Sequence, residues 1–214
     1  MTVLDTSTVS STTRRTPTDL LLTGALVVGP LLYLVADTMY ATRGWDDADA
    51  AGFHVLGAIA YAFVLVRLAS WATGWLAAAT LFAGIVGACG NVAYGFNTIH
   101  VSLGAVDLVD TDGVGAIIKP LGLFCPAGLV LGAVVLARIG RRVPAVLVGL
   151  AGVIWPIAHI ANIGWLAVVV NLLLVIGLVP LAVGRIEVVQ PPSVAAGSGV
   201  RSRHRRSDTV TGNE

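Results

Sequence analysis

Side chains able to do chemistry recur in this sequence where their neighbours are apolar: one carboxylate, Asp37; imidazoles at His54, His100 and His159; amides at Asn91, Asn97, Asn162 and Asn171; and the single lysine, Lys119. A carboxylate beside an imidazole can take up or release a proton at a reacting atom, which makes Asp37, His54 and His159 the candidate catalytic residues. Three imidazoles and a carboxylate are also metal-ligand types, so His54, His100, His159 and Asp37 form a weaker metal alternative. The amides and Lys119 supply hydrogen bonds and charge for a bound group. Tyr33, Tyr40, Tyr61, Tyr94 and Trp155 offer aromatic faces that can steady a cation. The candidate ligand-binding set is Tyr33, Tyr40, Tyr61, Asn91, Asn97, His100, Lys119, Trp155, Asn162 and Asn171.

Spacing groups these residues on helix faces. Tyr33, Asp37 and Tyr40 stand at i, i+4 and i+7, as do Trp155, His159 and Asn162, and each trio therefore shares one face. His54, Gly57, Ala58 and Tyr61 form a third stripe. The region around residue 95 divides its polar residues: Asn91, Tyr94 and Thr98 on one face, Asn97 and His100 on the other. No H-E-x-x-H, G-x-S-x-G or paired-acid motif accompanies them, and no C-x-x-C-H for covalent haem, so no reaction or cofactor is named by motif.

The elements that must position these groups are membrane spans. The 214 residues are 56% hydrophobic and 12% charged, about half the charge of an average soluble chain. Mean hydropathy is +0.87. A helix needs about 20 apolar residues to cross a bilayer, and six stretches qualify: 19–41, 52–71, 75–97, 114–137, 144–163 and 165–184. The expected fold is all-α, a polytopic bundle of six transmembrane helices occupying residues 18–184. The first span is expected to start at Thr18 or Asp19 as N-cap, after Pro17. Arg14-Arg15 before an apolar run resembles a twin-arginine signal, but the run is too long and lacks a small-x-small cleavage site, so the span is retained.

The flanking segments read as tails. Residues 1–17 are rich in Ser and Thr. Residues 185–214 begin with Pro191-Pro192, lack a core pattern, and end in a basic run at 201–206 suited to anionic lipids. Eleven of the 13 Lys and Arg fall on one side: Arg14, Arg15, Arg67, Arg138, Arg141, Arg142, Arg185, Arg201, Arg203, Arg205 and Arg206. Arg43 and Lys119 stand opposite, with Asp46, Asp47, Asp49, Asp107, Asp110 and Asp112. Both termini are therefore expected in the cytoplasm. Arg outnumbers Lys twelve to one, a bias of GC-rich bacterial genomes, which places the chain in a bacterial plasma membrane. A net charge of +1 gives no field for nucleic acid.

Topology assigns a depth to each polar residue, and nearly all fall in the outer half, leaving Arg67 inside to snorkel. Ionisable groups inside spans are expensive unless paired or hydrated. The expected function is thus an outward-facing polar pocket that binds or translocates a small molecule or ion. One alternative is a membrane enzyme, a cyclase or hydrolase acting on a lipid or isoprenoid with Asp37 as acid or base. Others are an accessory subunit, a homo-oligomer or partner-bound protein, and a metal or haem protein. Asp37 has two candidate partners, Lys119 or a histidine. Trp45, Trp71, Trp75 and Trp165 are expected as interfacial anchors and Cys89 and Cys125 as packed thiols. Small residues in spans three to five, among them Gly84, Gly87, Gly90, Gly128, Gly132 and Gly152, mark the packing seams.

Overall fold

A computed structural model describes residues 15–184; the N-terminal residues through Arg14 and the tail with its basic run lie outside the described residues. Six helices follow in order: α1 Pro17–Arg43, α2 Ala48–Ala69, α3 Gly74–Ser102, α4 Ile118–Arg138, α5 Arg142–Ile160 and α6 Gly164–Val183, with one 3₁₀ turn, Val114–Ile117, leading into α4. No strand occurs among the described residues. All six are long and apolar enough to span a membrane.

Local chemistry sets the ends. The Thr16 hydroxyl caps α1 by accepting from Asp19 N at 3.1 Å, and Pro17, already fixed in φ, takes the first helical position. The helix therefore begins two residues before Asp19. Asp47 caps α2 by accepting from Ala50 N at 2.7 Å, drawing four polar or small residues into the helix ahead of Gly52. Helix α3 runs five residues beyond Asn97, to about 43 Å in all at 1.5 Å per residue. Pro120 sits in the first turn of α4, where its missing N–H costs nothing; Pro30, Pro126, Pro156 and Pro180 are the prolines inside helices. Asn162 closes α5 in the left-handed region (φ 53°), which an amide side chain tolerates, and Ile163 N donates back to Ala158 O at 2.8 Å.

Each helix packs on its neighbour in sequence, α6 returns against α1, and α2 also reaches α4, so the six close a ring. The seams are glycines. Gly87 and Gly90 lie directly on the α4 backbone at Cys125 and Gly122. Gly84 and Gly128 receive Leu65 of α2, Gly132 receives Leu68, and Gly152 rests on Pro126 O.

The two ends of the ring differ. The basic end carries Arg67, Arg138, Arg141 and Arg142, and its interior is an apolar plug of Leu26, Leu65, Leu68, Leu136, Val148 and Leu178, all at most 1% exposed. Arg67 pairs with Asp19 at 3.2 Å and stacks over Trp71 at 5.2 Å. The acidic end carries the α1–α2, α3–α4 and α5–α6 connections. Its interior holds Asp37, His54, Asn91, Asn97, Thr98 and Asn171, all buried. Leu, Ile, Val and Phe side chains cover the outer faces, as lipid contact requires. Cys125 is buried as expected, whereas Cys89 is exposed on that outer face.

Candidate functional site

Beneath the acidic end the ring is filled by rings and polar groups instead of leucine. Tyr33 of α1 stands edge-on to Tyr61 and His54 of α2, with centroids 5.0 and 4.7 Å away. The approach is allowed because Gly57 has no Cβ to strike the Tyr33 ring. Tyr94 of α3 lies 5.6 Å from His54 on another side. His54 is fully buried, yet neither ring nitrogen has a hydrogen-bond partner among the described residues.

A second cluster crosses the ring. The carboxylate of Asp37 (α1), 0% exposed, accepts a 2.5 Å hydrogen bond from Asn171 Nδ2 (α6) and lies 3.4 Å from His159 Nε2 (α5). Asn171 Nδ2 also donates to Ala167 O at 3.2 Å, which fixes the orientation of its amide. His159 Nδ1 stands 3.0 Å from Trp155 O, and the imidazole stacks on the Trp155 ring at 3.9 Å. Trp45 covers the pair, stacked on Tyr40 at 5.1 Å and edge-on to His159 at 5.6 Å, its indole N–H donating to Asn162 O at 3.1 Å.

Between the clusters a cavity of about 380 Å³ opens at the acidic end. His54, Asn91, Trp155 and His159 form its inner wall, with Tyr94 and Thr98 above; Asp46, Asp107, Asp110, Lys119 and Asn162 stand at its mouth. Asn91 ties the inner wall together, donating to Gly87 O at 2.8 Å and across the seam to Gly122 O at 3.1 Å. Asn97 braces the α3–α4 connection, donating to Asp107 Oδ1 at 2.8 Å and accepting from Leu108 N at 2.9 Å. Three carboxylates against one ammonium leave the mouth negative, and that ammonium, Lys119, is paired with Asp110. A larger, shallow groove between α1, α2 and α3, lined by Phe53, Leu56, Phe96 and Ile99, holds none of the interior polar groups.

The candidate residues thus fall into three groups. Tyr33, Asp37, Tyr40, His54, Tyr61, Asn91, Trp155, His159 and Asn171 come together inside the ring, with Asn97 just above. Lys119 and Asn162 stand at the mouth, both exposed. His100 is exposed and lines no part of the cavity. Of the two candidate partners of Asp37, the histidine holds the position and Lys119 does not, because the α3–α4 connection keeps Lys119 beside Asp110. The metal alternative is not assembled: no three His, Cys, Asp or Glu converge among the described residues, and His100 points away. Trp45, expected as an interfacial anchor, is instead folded inward as a cover; Trp75 and Trp165 are the exposed ones. Trp45, Thr98 and Asp107 were not singled out from sequence as site residues. A tryptophan next to a span end reads as an anchor unless its ring partners are known.

Eight polar atoms on seven side chains here have no hydrogen-bond partner among the described residues: Tyr33, Tyr40 and Tyr61 hydroxyls, Asp37 Oδ1, both His54 nitrogens, His159 Nε2 and Asn171 Oδ1. Native interiors leave few such groups unsatisfied; of these seven side chains, His54 and His159 line the cavity and the other five lie behind its wall. No family model, curated protein or solved structure matches this chain.

Proposed function

We propose that this chain is a multi-pass protein of a bacterial plasma membrane, with both termini cytoplasmic, that binds a small cation-bearing molecule or ion in the cavity at its acidic end, facing outward. The observation that carries this reading is the cavity itself. It is acidic at the mouth and walled by Trp45, Tyr94 and Trp155, and it ends on His54, a buried imidazole whose nitrogens have no hydrogen-bond partner among the described residues. Aromatic faces and carboxylates attract cations together, and about 380 Å³ lies at the small end of ligand pockets. The apolar plug below the cavity makes this an arrangement open to one side only. Onward translocation would require that plug to part.

The enzyme reading has less support. His159 Nδ1 is engaged by Trp155 O, and Asp37, 3.4 Å from Nε2, lines no part of the cavity. Asp37 cannot reach a substrate without rearrangement, and no serine or cysteine among the described residues borders the cavity as a nucleophile.

The test is thermal unfolding of the purified full-length protein in detergent against a panel of alkali cations, quaternary ammonium ions, primary amines and matched organic anions. A ligand at a hundred times its Kd adds about 2.7 kcal/mol, and a cation should supply that shift. His54→Ala should weaken it. Asp110→Asn, which releases Lys119 into the mouth, should also weaken it. Stabilisation by the anions alone would overturn the reading.

A further inference from the structure

Trp155 O is a carbonyl and can only accept, so the 3.0 Å contact requires that His159 Nδ1 carries a hydrogen. In the neutral ring, Nε2 is then a bare acceptor, and it faces Asp37 Oδ2 at 3.4 Å. Two acceptors aimed at each other, with Asp37 0% and the His159 side chain 9% exposed, repel unless something lies between their lone pairs. Asn171 cannot supply it, since its amide hydrogens go to Asp37 and to Ala167 O. No Lys or Arg among the described residues lies within ion-pair range of Asp37. At 3.4 Å the contact is within ion-pair range and longer than a closed charge-assisted hydrogen bond, so the two groups stand poised for a proton between them.

We propose that Asp37 and His159, with Asn171 holding the carboxylate, form a buried proton-binding site that takes one proton from the cavity and thereby ties α1 to α5. The balance is simple. Asp37 carboxylate plus neutral His159 plus one H⁺ gives a neutral pair, written either as imidazolium–carboxylate or as imidazole–carboxylic acid. Without the proton, one net negative charge is left in the ring, faced only by the Asn171 amide. His159 borders the cavity, so the proton has a way in from the aqueous side.

The other titratable groups around the pair are Tyr40 on α1 and His54 on α2, with Tyr33, Tyr61 and Tyr94 around His54. Helix α6 offers the Asn171 amide. Trp45 and Trp155 exclude water without titrating. Because His159 is both a wall of the cavity and half of the proton site, proton occupancy and ligand occupancy act on the same ring. The proton site itself does not depend on the cavity having a ligand.

The full-length protein in detergent tests this with no ligand added. Nitrogen NMR of ¹⁵N-histidine, assigned by single His→Gln variants, reads the protons on His159; infrared difference spectra across pH read a protonated Asp37. At neutral pH one of two signatures is expected: both His159 nitrogens protonated, or a carboxylic-acid band that Asp37→Asn abolishes. As pH rises and the proton leaves, the folding equilibrium constant should fall up to tenfold per pH unit, because the native state holds a proton the unfolded state has already lost. In Asp37→Asn no carboxylate remains to hold the proton, so His159 should become the neutral Nδ1–H form and this pH slope should vanish. His159→Gln, whose amide can donate to Asp37, should flatten the same slope and provides a second reading if Asp37→Asn folds poorly. Neutral His159 with ionised Asp37 throughout pH 5–8, and an unchanged slope in both variants, would overturn the proposal.

Discussion

Gly90→Ala should be far more damaging than Gly122→Ala, although the two glycines face each other across the α3–α4 seam. A Cβ at Gly90 would collide with the backbone of Gly122 and Leu121, which no side-chain rotation can relieve. Carbon contacts settle at about 3.5–4.0 Å, so the seam must open by roughly 1 Å or more. The Asn91 amide, now 3.1 Å from Gly122 O, would then lie beyond hydrogen-bond range. Overpacking costs about 1–3 kcal/mol and an interhelical bond of this kind about 0.6–1.7; the helix preference for Ala over Gly returns about 1. The expected loss is about 2 kcal/mol. A Cβ at Gly122 instead finds its nearest neighbour, Asn91 Nδ2, at 3.8 Å, an ordinary contact. Gly122→Ala should be neutral or slightly stabilising, as should Gly24→Ala, where nothing lies within 4 Å. Reversible unfolding in mixed micelles measures all three. Equal effects of Gly90→Ala and Gly122→Ala would refute the packing argument, and with it the account of how the cavity's inner wall is held.

Further outcomes are expected elsewhere. Asn171→Leu removes the 2.5 Å hydrogen bond to Asp37 and should cost about 2 kcal/mol, as bonds to charged groups do; in an Asp37→Asn background the cost should fall by half or more, read from a double-mutant cycle. Trp45→Phe keeps the stacking on Tyr40 but loses the bond to Asn162 O, so a loss of about 1 kcal/mol is expected by thermal unfolding. For orientation, single cysteines at Asp46 and Asp110, in a background lacking Cys89 and Cys125, should react with an impermeant thiol reagent on intact cells. One at Arg141 should react only after lysis. The reverse pattern would put the cavity mouth in the cytoplasm.

The helices were legible because each needs only local information: an apolar run of sufficient length and a cap or glycine at its ends. Errors stayed at the ends, where Thr16 and Asp47 caps outcompeted the hydropathy boundary. Much of the polar cluster was legible too. Tyr33, Asp37 and Tyr40 share a face by spacing alone, and polar residues crowd one end of every span. His100 shows the limit. Asn91, Tyr94, Asn97 and Thr98 all line the cavity, so the arc of α3 facing it is wider than either expected face, yet His100 still falls outside it.

Sequence by itself determined that this chain crosses a membrane six times, because the bilayer acts on each segment separately and reads little beyond its length and apolarity. It also determined which end of the bundle would be polar, since alternating direction converts position along the chain into depth. Tertiary structure alone decided the partners. Asp37 meets His159 and Asn171, 122 and 134 residues away in sequence, because α6 closes the ring against α1 and brings α5 opposite. Lys119 is held by Asp110, nine residues earlier, before it can reach inward. Trp45 turns from anchor to cover because the Tyr40 ring and Asn162 O wait beneath it. Pairing across a ring depends on helix rotation and closure, which are set by where glycines let backbones touch, and no single helix's pattern contains that information.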